Sequence, residues 1–156
     1  MLTDPFSTNR LTSTIIGAAI KVHRETGPGL LESVYLPCLT FEVRQCGLVV
    51  ETQWPIPLVY RGIHLEAGYR ADMLVGDTVI VELKCVEALA PIHTAQMLTY
   101  LRLARKPVGL LINFNVPVLK DGVKRILNSN MTSHTKWSEP SDLPVSCDDE
   151  APSSCD

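Results

Sequence analysis

Three residues carry the chemistry open to this chain: Asp72, then Glu82 and Lys84 within Val79-Ile80-Val81-Glu82-Leu83-Lys84. Side chains alternate faces along a strand, so Glu82 and Lys84 share one face while Val79, Val81 and Leu83 share the other. Gly76-Asp77 turns the chain between two strands and returns Asp72 to within about one register step of Glu82. Two carboxylates and an amine then meet at one spot, a set that suits a hard cation and an activated water. An ion-pair cluster on a solvated edge is the plainer alternative. It calls for polar neighbours, whereas this strand is otherwise apolar, as in a buried central strand. Adjacent buried carboxylates are costly unless a cation or Lys84 compensates them. In the chemical reading Asp72, one oxygen of Glu82 and the Leu83 carbonyl hold Mg2+, with Mn2+ as substitute and waters in the remaining positions. Lys84 orients or deprotonates the attacking water and stabilises charge at phosphorus.

The next stretch carries His93, Gln96 and Tyr100, whose offsets of three and four put them on one helical face. Beside a carboxylate site, Gln96 holds Lys84 or a phosphate and Tyr100 buttresses it; alone, the three would mark a partly exposed amphipathic helix. His93 is open between a capping or core residue and a substrate contact. Glu32 opens a helix, and by itself it reads as complementing the helix dipole. Arg70 lies two before Asp72 on the same strand face, which predicts a place close to the metal. Arg102, Arg105, Lys106, Lys120, Lys124 and Arg125 are basic candidates for a phosphate backbone, although solvated helix faces account for such charges singly.

These residues need positioning elements. Residues 1–9 read as a polar lead-in. From Arg10, Leu11, Ile15, Ala18, Ala19 and Val22 recur at helical spacing until Gly27-Pro28-Gly29 stops them. A second helix runs from near Leu31 to about Cys46, and Pro37 predicts a kink or a late start in it. Short strands follow at Val49–Gln53, Pro57–Tyr60 and Ile63–Leu65, with Trp54-Pro55-Ile56-Pro57 marking an edge or bend. Tyr69–Val75 and Thr78–Lys84 make the central pair. A helix from Pro91 to Ala104, a buried strand at Val108–Phe114 and a last amphipathic helix at Leu119–Leu127 complete an α/β order with a mixed sheet flanked by helices.

The chain has 156 residues, one domain's worth, with 46% hydrophobic residues and mean hydropathy +0.13. No apolar run approaches the roughly 20 residues that span a bilayer, and Met1–Arg10 lacks a basic start followed by an apolar stretch. Five cysteines show no CxxC pair and no metal spacing with the four histidines. An odd count fits reduced thiols, so the expectation is cytoplasmic, without membrane partners. The net charge of −3 splits into +2 over residues 1–130 and −5 over 131–156. A mildly basic domain at 1–130 is therefore followed by an acidic tail at 131–156, expected to be disordered from its Ser, Thr, Pro and Asp content.

Several motifs together resemble the GxxExxY family, which is placed within the PD-(D/E)XK nuclease superfamily. They are Gly29-Leu30-Leu31-Glu32-Ser33-Val34-Tyr35, Gly68-Tyr69-Arg70-Ala71-Asp72, Val79-Ile80-Val81-Glu82-Leu83-Lys84, Ala95-Gln96-Met97-Leu98-Thr99-Tyr100-Leu101 and Gly109-Leu110-Leu111-Ile112-Asn113-Phe114. The likeness covers about residues 10–127. It implies a restriction-endonuclease-like core, Asp72 as the motif aspartate, Glu82 and Lys84 as the ExK pair, and Gln96 and Tyr100 as a QxxxY element. It also makes Glu32 the first-helix acid that approaches the metal. Pro37 departs from the helix former expected there.

The leading expectation is a Mg2+-dependent nuclease acting on DNA in preference to RNA, with Arg70, His93, Arg102, Arg105 and Lys106 toward the nucleic acid. The sequence offers no base-reading code, so specificity would come from another domain or protein, and so small an enzyme could dimerise to cut both strands of a duplex. A silent nuclease-fold binding or accessory module is the alternative. The tail could also mimic nucleic acid and shield the basic surface.

Overall fold

The computed structural model describes residues 5–66 and 68–132. Helix α1 spans Pro5–Thr26 and starts well inside the expected lead-in. Pro5 at its first position suits a proline, whose missing N–H would have no partner there anyway. Ile15, Ala18, Ala19 and Val22 are buried along one stripe, as their spacing demands. Gly27 takes φ +71° and ends the helix by donating its N–H to the His23 carbonyl at 2.8 Å. Helix α2 spans Glu32–Gln45 and runs through Pro37, so the expected late start is not found.

Among the described residues seven strands follow: β1 Val50–Pro55, β2 Leu58–Tyr60, β3 Ile63–Leu65, β4 Arg70–Val75, β5 Val79–Lys84, β6 Val108–Asn113 and β7 Val123–Leu127. Helix α3, Pro91–Ala104, connects β5 to β6, and a helical turn α4 covers Ser129–Thr132. The main sheet has the order β1-β4-β5-β6-β7, while β2 and β3 form a separate two-stranded hairpin. β5 pairs in parallel with β6, and the other neighbours are antiparallel, so the sheet is mixed. Pro55 ends β1 at the sheet edge, where a missing donor is tolerated.

Residues 119–127 correct the expected last helix. Leu119–Gly122 is a single 3-10 turn and Val123–Leu127 is strand β7. The reason is tertiary. β6 is buried along its whole length and needs a ladder partner on its outer side, which β7 supplies. Gly122 makes the turn fit, since a Cβ there would stand 2.2 Å from the Asn113 carbonyl oxygen.

The sheet carries helices on both faces. α1 and α2 pack Ile15, Ala19, Tyr35, Leu39 and Val43 against Met73, Val75, Val79, Val81 and Leu83. α3 packs Met97, Tyr100 and Leu101 against Leu74, Ile80, Leu111 and Ile126 on the opposite side. This is the restriction-endonuclease-like arrangement that the motifs imply. The acidic tail falls outside the described residues beyond Thr132. Among the described residues no helix is long and apolar enough to cross a membrane.

Candidate active site

Gly76 and Asp77 both take positive φ, +57° and +54°, and Thr78 N–H closes the turn on the Val75 carbonyl at 3.1 Å. Positive φ at both central positions matches the twist of an antiparallel pair. The register then runs Val75 with Val79, Leu74 with Ile80 and Met73 with Val81. One further step sets Asp72 opposite Glu82, but there the β4–β5 ladder stops. β4 stays paired to β1 as far as Arg70, and β5 stays paired to β6 as far as Lys84. The sheet thus forks at the position of the two acids.

Side chains serve the backbone donors that the fork releases. Asp72 N–H donates to Glu82 Oε1 at 3.0 Å, and Leu83 N–H donates to Asp72 Oδ2 at 2.7 Å. Each acid therefore keeps one oxygen for something else. Lys84 Nζ stands 4.0 Å from Glu82 Oε2, and Asp72 Oδ1 accepts no hydrogen bond among the described residues. No buried side-chain nitrogen or oxygen there lacks a partner, so these two oxygens open toward accessible space.

Burial and mutual repulsion govern the charge. Burial, followed by the Asp72 charge, pushes the Glu82 carboxyl up to about 7, and the Glu32 charge adds to it. Burial also raises Asp72, against the opposing Leu83 N–H bond and Lys84 charge. Glu32 is an exposed residue at the first position of α2, yet its charge reaches Asp72, Glu82 and Cys85. Lys84 supplies the positive charge that acts on both acids. Lys84 alone does not offset the acids.

Glu82 and Lys84 lie on the α3 side of β5, because Val79, Val81 and Leu83 point into the α1–α2 core. There Gln96 Nε2 donates to Tyr100 Oη at 3.1 Å. Burial, then the charges of Glu82, Tyr69 and Asp72, raises the Tyr100 hydroxyl, which stays protonated as a donor. Gln96 is thus bonded to Tyr100 and makes no hydrogen bond to Lys84.

Among the described residues no three His, Cys, Asp or Glu side chains gather as a metal cage. The two-carboxylate set still fits Mg2+, which keeps several waters and takes one or two carboxylates beside substrate phosphates. The donors are hard oxygens: Asp72 Oδ1 accepts no hydrogen bond among the described residues, and Glu82 Oε2 faces Lys84 Nζ at 4.0 Å.

The chain matches the PD-(D/E)XK nuclease superfamily over residues 9–126. It belongs to that superfamily. Comparison with curated proteins and with solved structures finds no match.

In this PD-(D/E)XK protein the remaining candidates divide. Arg70 is exposed and donates to the Gln53 carbonyl at 3.4 Å, and no ion pair joins it to Asp72 or Glu82. His93 caps α3, its Nδ1 accepting the Ala90 N–H at 3.0 Å. Arg102 and Arg105 are exposed at the far end of α3, where Arg105 adopts the left-handed cap with φ +52°. Lys106 donates to the Asp77 carbonyl and carboxylate at 2.9 and 2.8 Å and lies 5.7 Å over the Trp54 ring. Asp77 precedes Glu82 by five residues, roughly 16 Å of strand. Arg102, Arg105 and Lys106 therefore do not join the carboxylates.

Two positioning residues carried no role in the sequence reading. Tyr35 is fully buried, stacks on Phe114 at 4.3 Å, donates to the Gly27 carbonyl at 2.6 Å and accepts the Leu30 N–H at 3.2 Å. It ties down the loop that leads into Glu32. Asn113, also buried, pairs in register with Lys84, accepts the Val86 N–H at 3.1 Å and donates to the Val86 carbonyl at 2.8 Å. That clasp holds the chain just after Lys84. An asparagine ending an apolar strand was the available signal.

Proposed function

We propose that this chain is a metal-dependent nuclease of the GxxExxY type that hydrolyses phosphodiester bonds, in DNA before RNA. The observation that carries the reading is the β4–β5 fork. It holds Asp72 and Glu82 side by side, each with one oxygen uncommitted, and Lys84 on the same face. Asp72, Glu82 and the Leu83 carbonyl are the residues that would hold Mg2+ or Mn2+, with Glu32 approaching from α2. When bound, the cation lowers the pKa of a water and neutralises charge on the phosphate.

The protein's part is positioning and charge. Backbone N–H groups fix one oxygen of each acid, so the other is aimed without loss of side-chain freedom on binding. Lys84 offers an ammonium beside Glu82 to orient the attacking water and stabilise charge developing at phosphorus. Tyr100, kept protonated and held by Gln96, offers a hydroxyl donor toward the carboxylate side.

Lys84→Ala and Asp72→Ala should each lower metal-dependent cleavage of single- or double-stranded DNA by about 10²-fold or more, with circular dichroism unchanged. Equal cleavage by wild type and both variants would remove the reading. The second reading is a binding module without turnover. Calorimetric Mg2+ binding and DNA binding without cleavage on any substrate would select it.

A further inference from the structure

Along α3 lies a cavity of about 530 Å³, lined in part by Gln96 and Tyr100, that the chemistry above leaves unused. Ile56, Leu58, Ile92 and Leu103 give it apolar walls, and Tyr69 and Tyr100 add two phenol rings. His93, Gln96 and Thr99 bring polar side chains to its lining. Apolar walls with a few convergent polar groups are the usual make-up of a small-molecule pocket.

We propose that this cavity receives one unpaired nucleobase of the strand being cut, so that the substrate class is single-stranded or frayed DNA. The proposal rests on the nuclease reading. Continuity with the site chooses the occupant: Gln96 and Tyr100 line the cavity, and Tyr100 packs with Ile80, which shares its face of β5 with Glu82 and Lys84. A strand whose phosphate lies at the carboxylates therefore has its neighbouring base beside this opening.

The chemistry of the walls suits a base. Every base has a π face that stacks on an aromatic ring and a polar edge that needs partners. Tyr69 is 53% exposed and presents an accessible ring. The Tyr69 and Tyr100 centroids are 6.5 Å apart with planes inclined by 55°. A base sandwiched between two rings needs parallel planes about 7 Å apart, two stacking thicknesses of roughly 3.5 Å each. The base accordingly lies against one ring and not between them.

At the edge, His93 Nδ1 is occupied by the Ala90 N–H, so the neutral ring carries its proton on Nε2 as a donor. Gln96 spends Nε2 on Tyr100, and its carbonyl oxygen has no hydrogen-bond partner among the described residues. The lining thus offers the His93 Nε2 donor and the Gln96 carbonyl acceptor. A base stacked in a duplex reaches such a pocket only by flipping out, at a cost of a few kcal/mol that a single strand avoids.

The test walks one abasic nucleotide along a single-stranded DNA oligonucleotide cleaved by wild type and by Tyr69→Ala in Mg2+. One position, fixed relative to the cut, should lower wild-type kcat/KM about tenfold, the size of one lost base–aromatic stack. Tyr69→Ala should lose a similar factor on the intact strand and nothing further on that abasic strand. Uniform cleavage across the abasic series, or equal losses by Tyr69→Ala on intact and abasic strands, overturns the pocket while leaving the nuclease reading in place. No cleavage of any substrate overturns the nuclease reading, and the pocket is then judged by binding. A single-stranded oligonucleotide carrying 2-aminopurine should be quenched by Lys84→Ala and not by Lys84→Ala/Tyr69→Ala. Identical fluorescence with the two proteins overturns it.

Discussion

Glu82 concentrates the electrostatic problem of the site in one residue. Its carboxyl is pushed up to about 7 in the folded protein, against 4.5 for the free side chain. The folded state thus holds a proton that the unfolded chain releases, and ionising Glu82 works against folding. The metal-free protein should be most stable below about pH 4.5 with respect to this group and lose that stability as pH rises through about 7. A shift of this size corresponds to about 3 kcal/mol. Urea denaturation in EDTA from pH 5 to pH 8 should show the decline, and Glu82→Gln should flatten most of it. Asp72, raised in the same direction by burial, adds a decline of the same sign. Saturating Mg2+ should restore stability at pH 8, because a bound cation favours the ionised pair. A wild-type profile in EDTA as flat as that of Glu82→Gln would contradict the burial and repulsion seen here.

Elements, not residues, set the distance from α3 to the sheet. Gly109 on β6 allows the approach: a Cβ there would stand 2.3 Å from Met97 Sδ, and Met97 is fully buried. The glycine is thus required by space, its φ being ordinary for any residue. Gly109→Ala should push α3 outward, with a cost of about 1–3 kcal/mol in chemical denaturation. Because α3 carries Gln96 and Tyr100, cleavage should fall by more than stability alone explains. An unchanged midpoint and unchanged activity would show that Met97 repacks freely. Most of this architecture is legible in the sequence, since α1 and the β4–β5 pair announce themselves by period and by Gly punctuation. β7 is not. Its Val-Lys-Arg-Ile-Leu run is short and mixed, and only the open side of β6 makes it a strand.

For the whole molecule, the division of charge is the feature with a consequence. Residues 1–130 carry +2 and residues 131–156 carry −5. If the tail shields the basic surface, deleting residues 131–156 should tighten DNA binding at low salt, where screening is weakest, and matter little at high salt. Fluorescence anisotropy with labelled single-stranded DNA at two ionic strengths checks this. Equal affinity with and without the tail retires the idea. The prediction rests on sequence alone, because residues beyond Thr132 lie outside the described part of the chain.

The sequence by itself determined that Asp72, Glu82 and Lys84 come together. Alternation put Glu82 and Lys84 on one face, and the Gly76-Asp77 turn brought Asp72 back to them. Those are local consequences of strand geometry, which few other packings can alter. Tertiary structure decided the rest. It opened the sheet at Asp72 and Glu82, so that backbone donors bind one oxygen of each acid and leave the other available. It packed α3 on one face of the sheet with Gln96 bonded to Tyr100, and committed Lys106 to Asp77 at the other end of the strand. Such outcomes depend on which strands stay paired and which helix closes on which face, contacts between residues far apart in the chain that no local spacing encodes.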